Sequence, residues 1–298
     1  KAILVCVQNT FLHEDTIKHL QELEKSGKSW GIIIDEAHRF IQNDKTSINE
    51  LQKLNPVWRL ALTASFDNRK NVEGTTEILN WITPEQKRDT YPLSSALSDE
   101  LLKPFKVRLH QIKCDFEDDS FKQASQSYVV NNISKLIESG PTILFVNEQS
   151  VDELRSLNEK IRLKGADPSY YTYNHQGLKL LERWRKGNVN PMSSLTILDE
   201  GVDVSECSGA IMLDSSENDN RQWIQRRGRT LRLGGSSEAI IHDFIPPFDI
   251  GNKWSVDWWR RNSARLEELM RDSLSSEQKV KDMKYLGANS SVLGDLHG

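Results

Sequence analysis

The chain has 298 residues, room for about two domains, with 28% charged and 37% hydrophobic residues and a formal net charge of −4, the balance of an ordinary globular protein. No apolar run is long enough to span a bilayer and no signal peptide opens the chain, so no membrane is expected. The mild acidity does not advertise a nucleic-acid partner, although a translocating enzyme can hold a local basic groove. Cys6, Cys114 and Cys207 are far apart and form no CxxC pair, which argues against a disulfide framework or a zinc site and for a reducing, intracellular setting.

In chain order, residues 1–7 read as a strand already under way at Lys1, as though the chain were part of a longer one. Residues 11–25 have helical periodicity, broken at Ser26-Gly27-Lys28. Gly31-Ile32-Ile33-Ile34 reads as a strand buried on both faces, as in a parallel sheet. A helix over 48–54 and a second buried strand, Trp58-Arg59-Leu60-Ala61-Leu62, follow. Residues 68–111 are polar, with Pro84, Pro92 and Pro104; a short helix is expected within 93–102 and a strand at 107–114. The strand–helix alternation then restarts: helix 127–138, strand 142–146, helix 150–163, a short strand at 170–173, helix 178–186, strands 195–198 and 210–213, a helix opening at 221, and a last strand at 239–244. After Pro246-Pro247 a charged helix is expected over 255–273, and a Gly- and Ser-rich tail, 287–298, is expected to be poorly ordered.

Three stretches carry chemistry. In Asp35-Glu36-Ala37-His38 two acids follow a buried strand. Ligands of open α/β sheets sit beyond the carboxyl ends of the strands, and a divalent cation there relieves the repulsion between neighbouring acids. The plainer reading is a helix N-cap. In Thr196-Ile197-Leu198-Asp199-Glu200-Gly201-Val202-Asp203 a strand runs into a turn with three acids, which is also what an ordinary turn looks like. In Arg221-Gln222-Trp223-Ile224-Gln225-Arg226-Arg227-Gly228-Arg229-Thr230-Leu231-Arg232 the arginines cluster without an interspersed acid. Gln225, Arg229 and Arg232 share a face if the helix survives Gly228. Planar, always-charged guanidinium forks suit phosphate, although a run of charge is usually a solvated helix face.

The order of these motifs, with Leu62-Thr63-Ala64-Ser65 after the first and Ile143-Leu144-Phe145-Val146 before the second, resembles that of superfamily 2 helicases and translocases, from Val5 to about Phe244. Within that superfamily the Gln225 opening of the last motif looks most like the DNA-translocase branch of repair helicases, restriction-enzyme motor subunits and bacterial defence helicases. The resemblance implies an α/β fold of two RecA-like parallel-sheet lobes, the first incomplete, plus a helical C-terminal extension. The expected divisions are 1–108 for the partial first lobe with its crossover linker, 109–246 for the second lobe, and 247–298 for the helical extension and flexible tail.

What the resemblance implies for single residues follows the motifs. Asp35 matches the Mg²⁺-coordinating acid, Glu36 the residue that activates water, and His38 the position that couples the nucleotide site to the neighbouring domain. Thr63 and Ser65 match the motif that links hydrolysis to strand movement, and Gly201 and Asp203 the motif that contacts nucleotide ribose and nucleic-acid backbone. Gln225, Arg226, Arg229 and Arg232 match the last motif; Arg229 and Arg232 would face the γ-phosphate, Arg232 as arginine finger. The expected ligands are ATP and Mg²⁺, and the expected partner is nucleic acid, double-stranded DNA first. The alternative is a nucleic-acid-sensing ATPase subunit of a larger antiviral-defence or restriction complex, gating a partner effector. The expected setting is the cytoplasm, or the nucleus in a eukaryote. The chain departs from the family's pattern in lacking the Gly-rich GK[ST] loop, expected upstream of Lys1. Without it this piece alone is expected to be inactive. Val7 stands where the family usually has Thr, and Phe66 where this branch usually has Pro.

Overall fold

A computed structural model describes residues 13–35, 52–62, 89–146, 150–170, 175–194, 204–213, 220–275 and 277–295. The chain divides into two units, Lys1–Thr90 and Tyr91–Gly298. The strand expected at 1–7 and most of the helix expected at 48–54 lie outside the described residues.

In the first unit, α1 (Glu14–Lys25) begins at His13, whose ring accepts from the backbone N–H of Asp15, and carries Glu14 and Asp15 in its first turn, where acids suit the helix dipole. It buries Ile17 and Leu20 and stops before Gly27, whose φ of +74° favours glycine. Near its end, Glu24 Oε1 accepts from Trp30 Nε1 at 2.9 Å and from the Asn55 backbone N–H at 2.7 Å. That one carboxylate ties the helix to the approaches of both strands. β1 (Gly31–Ile34) and β2 (Trp58–Ala61) run parallel, with Ile33 opposite Leu60.

The sequence predicts that both strands are buried on both faces, and neither is. Successive side chains point to opposite sides of a strand. Ile32 and Ile34 are buried, but Ile33 is 59% exposed, and Trp58 and Leu60 on the same face are exposed with it. The Trp58 indole lies over Gly31, where a Cβ would fall 2.0 Å from the ring, so any side chain there would displace the indole.

The second unit is a six-stranded, wholly parallel sheet in the order β3-β8-β7-β4-β6-β5. Its strands are β3 (Phe105–Gln111), β4 (Thr142–Phe145), β5 (Ser169–Tyr170), β6 (Met192–Ser194), β7 (Gly209–Met212) and β8 (Ala239–Ile245). A short helix, α2 (Leu93–Ser98), precedes β3. β3 crosses residue 108, where the sequence places the division between lobes, and pairs along its whole length with β8.

Alternation along the strands separates two cores. Leu144, Val146, Ile211, Leu213 and Phe244 meet Val129, Ile133 and Leu136 of α3 (Asp118–Leu136) and Leu154, Leu157 and Ile161 of α4 (Val151–Arg162). Ile143, Phe145, Ala210, Met212 and Ile241 face the other way. They join a core with Leu181 and Trp184 of α5 (His175–Arg185), Trp223 of α6 (Asn220–Thr230), Trp258, Trp259, Leu266 and Leu269 of α7 (Lys253–Asp272), and Leu286 of α8 (Glu277–Asp295). Helices on both faces of a parallel sheet make this a doubly wound α/β unit.

The tryptophans of the C-terminal segment are therefore core. The Gly- and Ser-rich tail, expected to be poorly ordered, is helical as far as Asp295, with Leu286 packed beneath it. Of the strand expected at 195–198 nothing is described, but β6 runs immediately before it. Among the described residues no helix is long and apolar enough to cross a membrane.

Candidate functional site

α6 carries the arginine cluster and runs through Gly228 without a break, ending at Thr230, whose hydroxyl donates to the Arg226 carbonyl at 2.9 Å. Its placement follows from Trp223, which is buried in the core beneath the helix. From there the arginines go different ways. Arg226 is 1% exposed, and its guanidinium lies 5.2 Å from the centre of the Phe145 ring at the end of β4. Arg227 turns toward α7. It covers the Trp223 ring at 4.3 Å and donates to Glu268 Oε1 at 3.0 Å. Arg265 also lies near Trp223, 5.7 Å from the ring centre, and its Nη1 donates at 2.6 Å to Oδ2 of the fully buried Asp243.

The electrostatics explain why this cluster tolerates burial. No acid lies in the first turn of α6, but Glu268 of α7 brings a carboxylate to Arg227, while Asp243 of β8 pairs with Arg265, the α7 arginine near Trp223. Burial pushes the ionisation of Arg227 down from its ordinary value, and the adjacent Glu268 pulls it back toward the charged form.

The remaining predicted residues are placed as follows. Gln225 is partly buried and Arg229 is 8% exposed. Arg232 is exposed and lies beyond the helix, where the backbone forms an antiparallel bridge with Leu102. The shared helix face expected for Gln225, Arg229 and Arg232 therefore stops short of Arg232, because the chain leaves the helix at Thr230. Asp35 is exposed and follows directly on β1, at the carboxyl end of the strand, in the first unit. Glu36, His38, Thr63, Ser65, Gly201 and Asp203 lie outside the described residues. An exposed carboxylate at a strand's carboxyl end suits a hard divalent cation, and an exposed guanidinium suits phosphate oxygens. Asp35 belongs to the first unit and Arg232 to the second, and among the described residues no group of three or more potential ligands could hold a metal ion.

Sequence reasoning missed the supporting partners Asp243, Arg265 and Glu268. The one signal present was the four-residue spacing of Trp223 and Arg227, which puts a ring and a guanidinium on one helix face.

Residues 126–234 match the helicase conserved C-terminal domain. The chain is 26% identical over 188 residues to the probable ATP-dependent RNA helicase ddx49 of Dictyostelium discoideum, covering 58% of this chain and 36% of that protein. It thus spans little more than a third of that relative's length. Among solved structures, S. cerevisiae Dbp5 L327V bound to RNA and ADP BeF3 superposes with a TM-score of 0.53 at 14% identity, over 91% of this chain and 67% of that one. The Pyrococcus furiosus Hef helicase domain superposes with a TM-score of 0.50 at 13% identity, over 82% of this chain and 77% of that one. Both likenesses are of fold alone, and the six-stranded parallel sheet of the second unit is the part of this chain that the fold describes best.

Proposed function

We propose that this chain, whose residues 126–234 match the helicase conserved C-terminal domain, works as an ATP-driven motor of the superfamily 2 kind on nucleic acid. The observation that carries the reading is the sorting of the arginine cluster. Arg226 and Arg227 are held inside the second unit by Phe145, Trp223 and Glu268, while Arg232 is left exposed at the exit of the helix. A cluster that merely solvated a helix would not bury Arg226, Arg227 and Arg229 and leave Arg232 exposed.

In this reading Asp35 holds Mg²⁺, which when bound would neutralise phosphate charge. Glu36 accepts the proton of the attacking water. Arg232 stabilises charge developing on the phosphoryl oxygens. The G-x-x-x-x-G-K-[ST] phosphate loop that the reaction also needs is not among the 298 residues: Gly27-Lys28-Ser29 has its last three residues but has Glu22 in place of the first glycine and follows a helix.

The strand acted on is RNA in our reading, because ddx49 is named an RNA helicase. Double-stranded DNA is the second reading, favoured by Gln225 at the head of the last motif. A sensing subunit that gates an effector gains no support from these relatives and is not advanced. The test is strand separation by the full-length protein on matched RNA and DNA duplexes, with and without ATP. ATP-dependent displacement of the RNA duplex is expected. Displacement of DNA alone would move the assignment to the second reading, and neither displacement nor nucleic-acid-stimulated ATP hydrolysis would sink the motor.

A further inference from the structure

Lys103 is 2% exposed, yet it ends in an ammonium. Its Nζ donates to the backbone carbonyls of Cys207 at 2.6 Å, Gly234 at 2.7 Å and Ser205 at 3.4 Å. An ammonium has three N–H bonds, so three converging carbonyls engage every donor. Burial lowers its affinity for the proton from the ordinary lysine value, and that cost is offset only while the carbonyls stay in place. Methionine has nearly the same length and no donor. Arginine has a planar fork that does not match three carbonyls converging on a point.

The cage joins three separate pieces of chain. The backbone N–H of Lys103 donates to the Leu231 carbonyl at 2.8 Å, and Leu102 bridges Arg232, so the segment entering the sheet is paired with the exit of α6. The ammonium then reaches the loop 204–208, immediately after the acids at 199–203. That loop and the one at 233–236 touch backbone to backbone. A Cβ on Gly234 (φ +132°) would lie 2.8 Å from the Ser205 carbonyl oxygen, and one on Gly235 (φ +59°) 2.6 Å from that of Glu206. Both glycines are required, by backbone conformation and by space.

We propose that Lys103 is a positioning residue: its ammonium fixes the loop that carries Arg232 against the loop that follows Asp203, and ties both to the segment that leads into β3. The inference rests on the motor reading for its effect on turnover, but its structural part stands apart from it. A displacement of the Arg232 loop by an ångström is enough to spoil the alignment of a group that acts in the transition state. Loss of the cage should therefore lower kcat and leave ATP binding nearly intact.

The test uses Lys103→Met and, separately, Gly234→Ala, which keeps the lysine and pries the same loops apart. Amide hydrogen exchange would be followed in the full-length protein for 204–208 and 231–236 against the strands at 142–145 and 209–212. Both loops should exchange about tenfold faster or more in either variant, with the strands unchanged. ATP turnover should fall about tenfold or more in kcat, with KM for ATP within about twofold. Unaltered exchange in the two loops, faster exchange throughout the sheet, or loosened loops with full kcat would each overturn the proposal. If the wild-type protein itself showed no turnover, the motor reading would fail, and exchange alone would decide whether Lys103 holds the loops.

Discussion

The Arg227 guanidinium lies 4.3 Å from the centre of the Trp223 ring, one turn earlier on the same helix, and ends on Glu268 of α7. The Arg227 side chain is almost wholly buried, while that of Glu268 is partly open to water. Removing the acid leaves a cation that cannot easily be rehydrated, which costs more than the pair itself contributes. Glu268→Ala should destabilise the second unit by about 1–3 kcal/mol, between the ranges for exposed and buried pairs. The double variant Arg227→Met, Glu268→Leu should recover most of the loss in a thermal melt. If the double variant melts lower than Glu268→Ala, the cation is not the source of the cost.

Removing Arg226 and removing Arg232 should do different things. Arg226 is packed over Phe145 inside the unit, so Arg226→Ala should lower the melting temperature by several degrees, about 2–4 °C for each kcal/mol lost. Arg232 is exposed, so Arg232→Ala should leave the melt within a degree or so. In the motor reading it should slow ATP hydrolysis by roughly 10³-fold with a far smaller change in nucleotide affinity. Equal losses in rate and affinity would remove Arg232 from the role of finger.

A pH dependence follows from a buried pair of histidines. His110 Nε2 lies 2.9 Å from His242 Nδ1 across β3 and β8, and the Tyr128 hydroxyl of α3 is 3.0 Å from His110 Nδ1. Burial, reinforced by the charge of Arg108, pulls His110 down to about 4, against a smaller upward pull from Asp243. His242 is drawn down to about 3 by burial and by the charges of His110 and Arg108, with a hydrogen bond to the Leu136 backbone opposing. Both folded values lie below the ordinary value near 6.5, so between them the unfolded chain binds more protons. The stability that depends on keeping this pair neutral is therefore fully present above about pH 6.5 and is lost as the pH falls toward about 4 for His110 and about 3 for His242. Denaturant midpoints between pH 7 and 5 should decline in the wild type and decline less in His242→Leu. Equal slopes would exclude the pair as the cause.

Gly228 sits inside α6 with open space where a Cβ would go. Its backbone is helical, so alanine should fit and stabilise the helix by about 0.5–1 kcal/mol. Gly228→Ala should melt slightly higher than the wild type. If it does so and ATP-dependent activity falls, the glycine serves the approach of a ligand to the helix; a lower melting temperature would contradict the geometry.

The second unit was legible because its signals are local. Unbroken apolar runs such as Ile143-Leu144-Phe145 mark strands buried on both faces, and the period of Leu154, Leu157 and Ile161 marks a helix covering one of them. Asp35 at the end of a strand followed from the same reasoning. The arginines were legible as a group but not as individuals. Which of them is spent on the fold depends on Phe145 and Glu268, which lie about 80 and 40 residues away in the chain. Ile33 failed for a related reason: the sequence shows that a residue is apolar, not whether its face of the sheet is covered. Lys103 gave no signal at all, since a lone lysine before a proline carries no pattern.

The outermost strand of the second sheet, β3, is drawn from residues 105–111, and its neighbour β8 from residues 239–245. The family match over 126–234 includes neither of them. A piece excised to those limits would bare the flank of β7 and shed the tryptophans of α7, leaving a sticky, unpaired edge prone to self-association. Anyone isolating this half for biochemistry should cut ahead of Tyr91 and beyond Asp295.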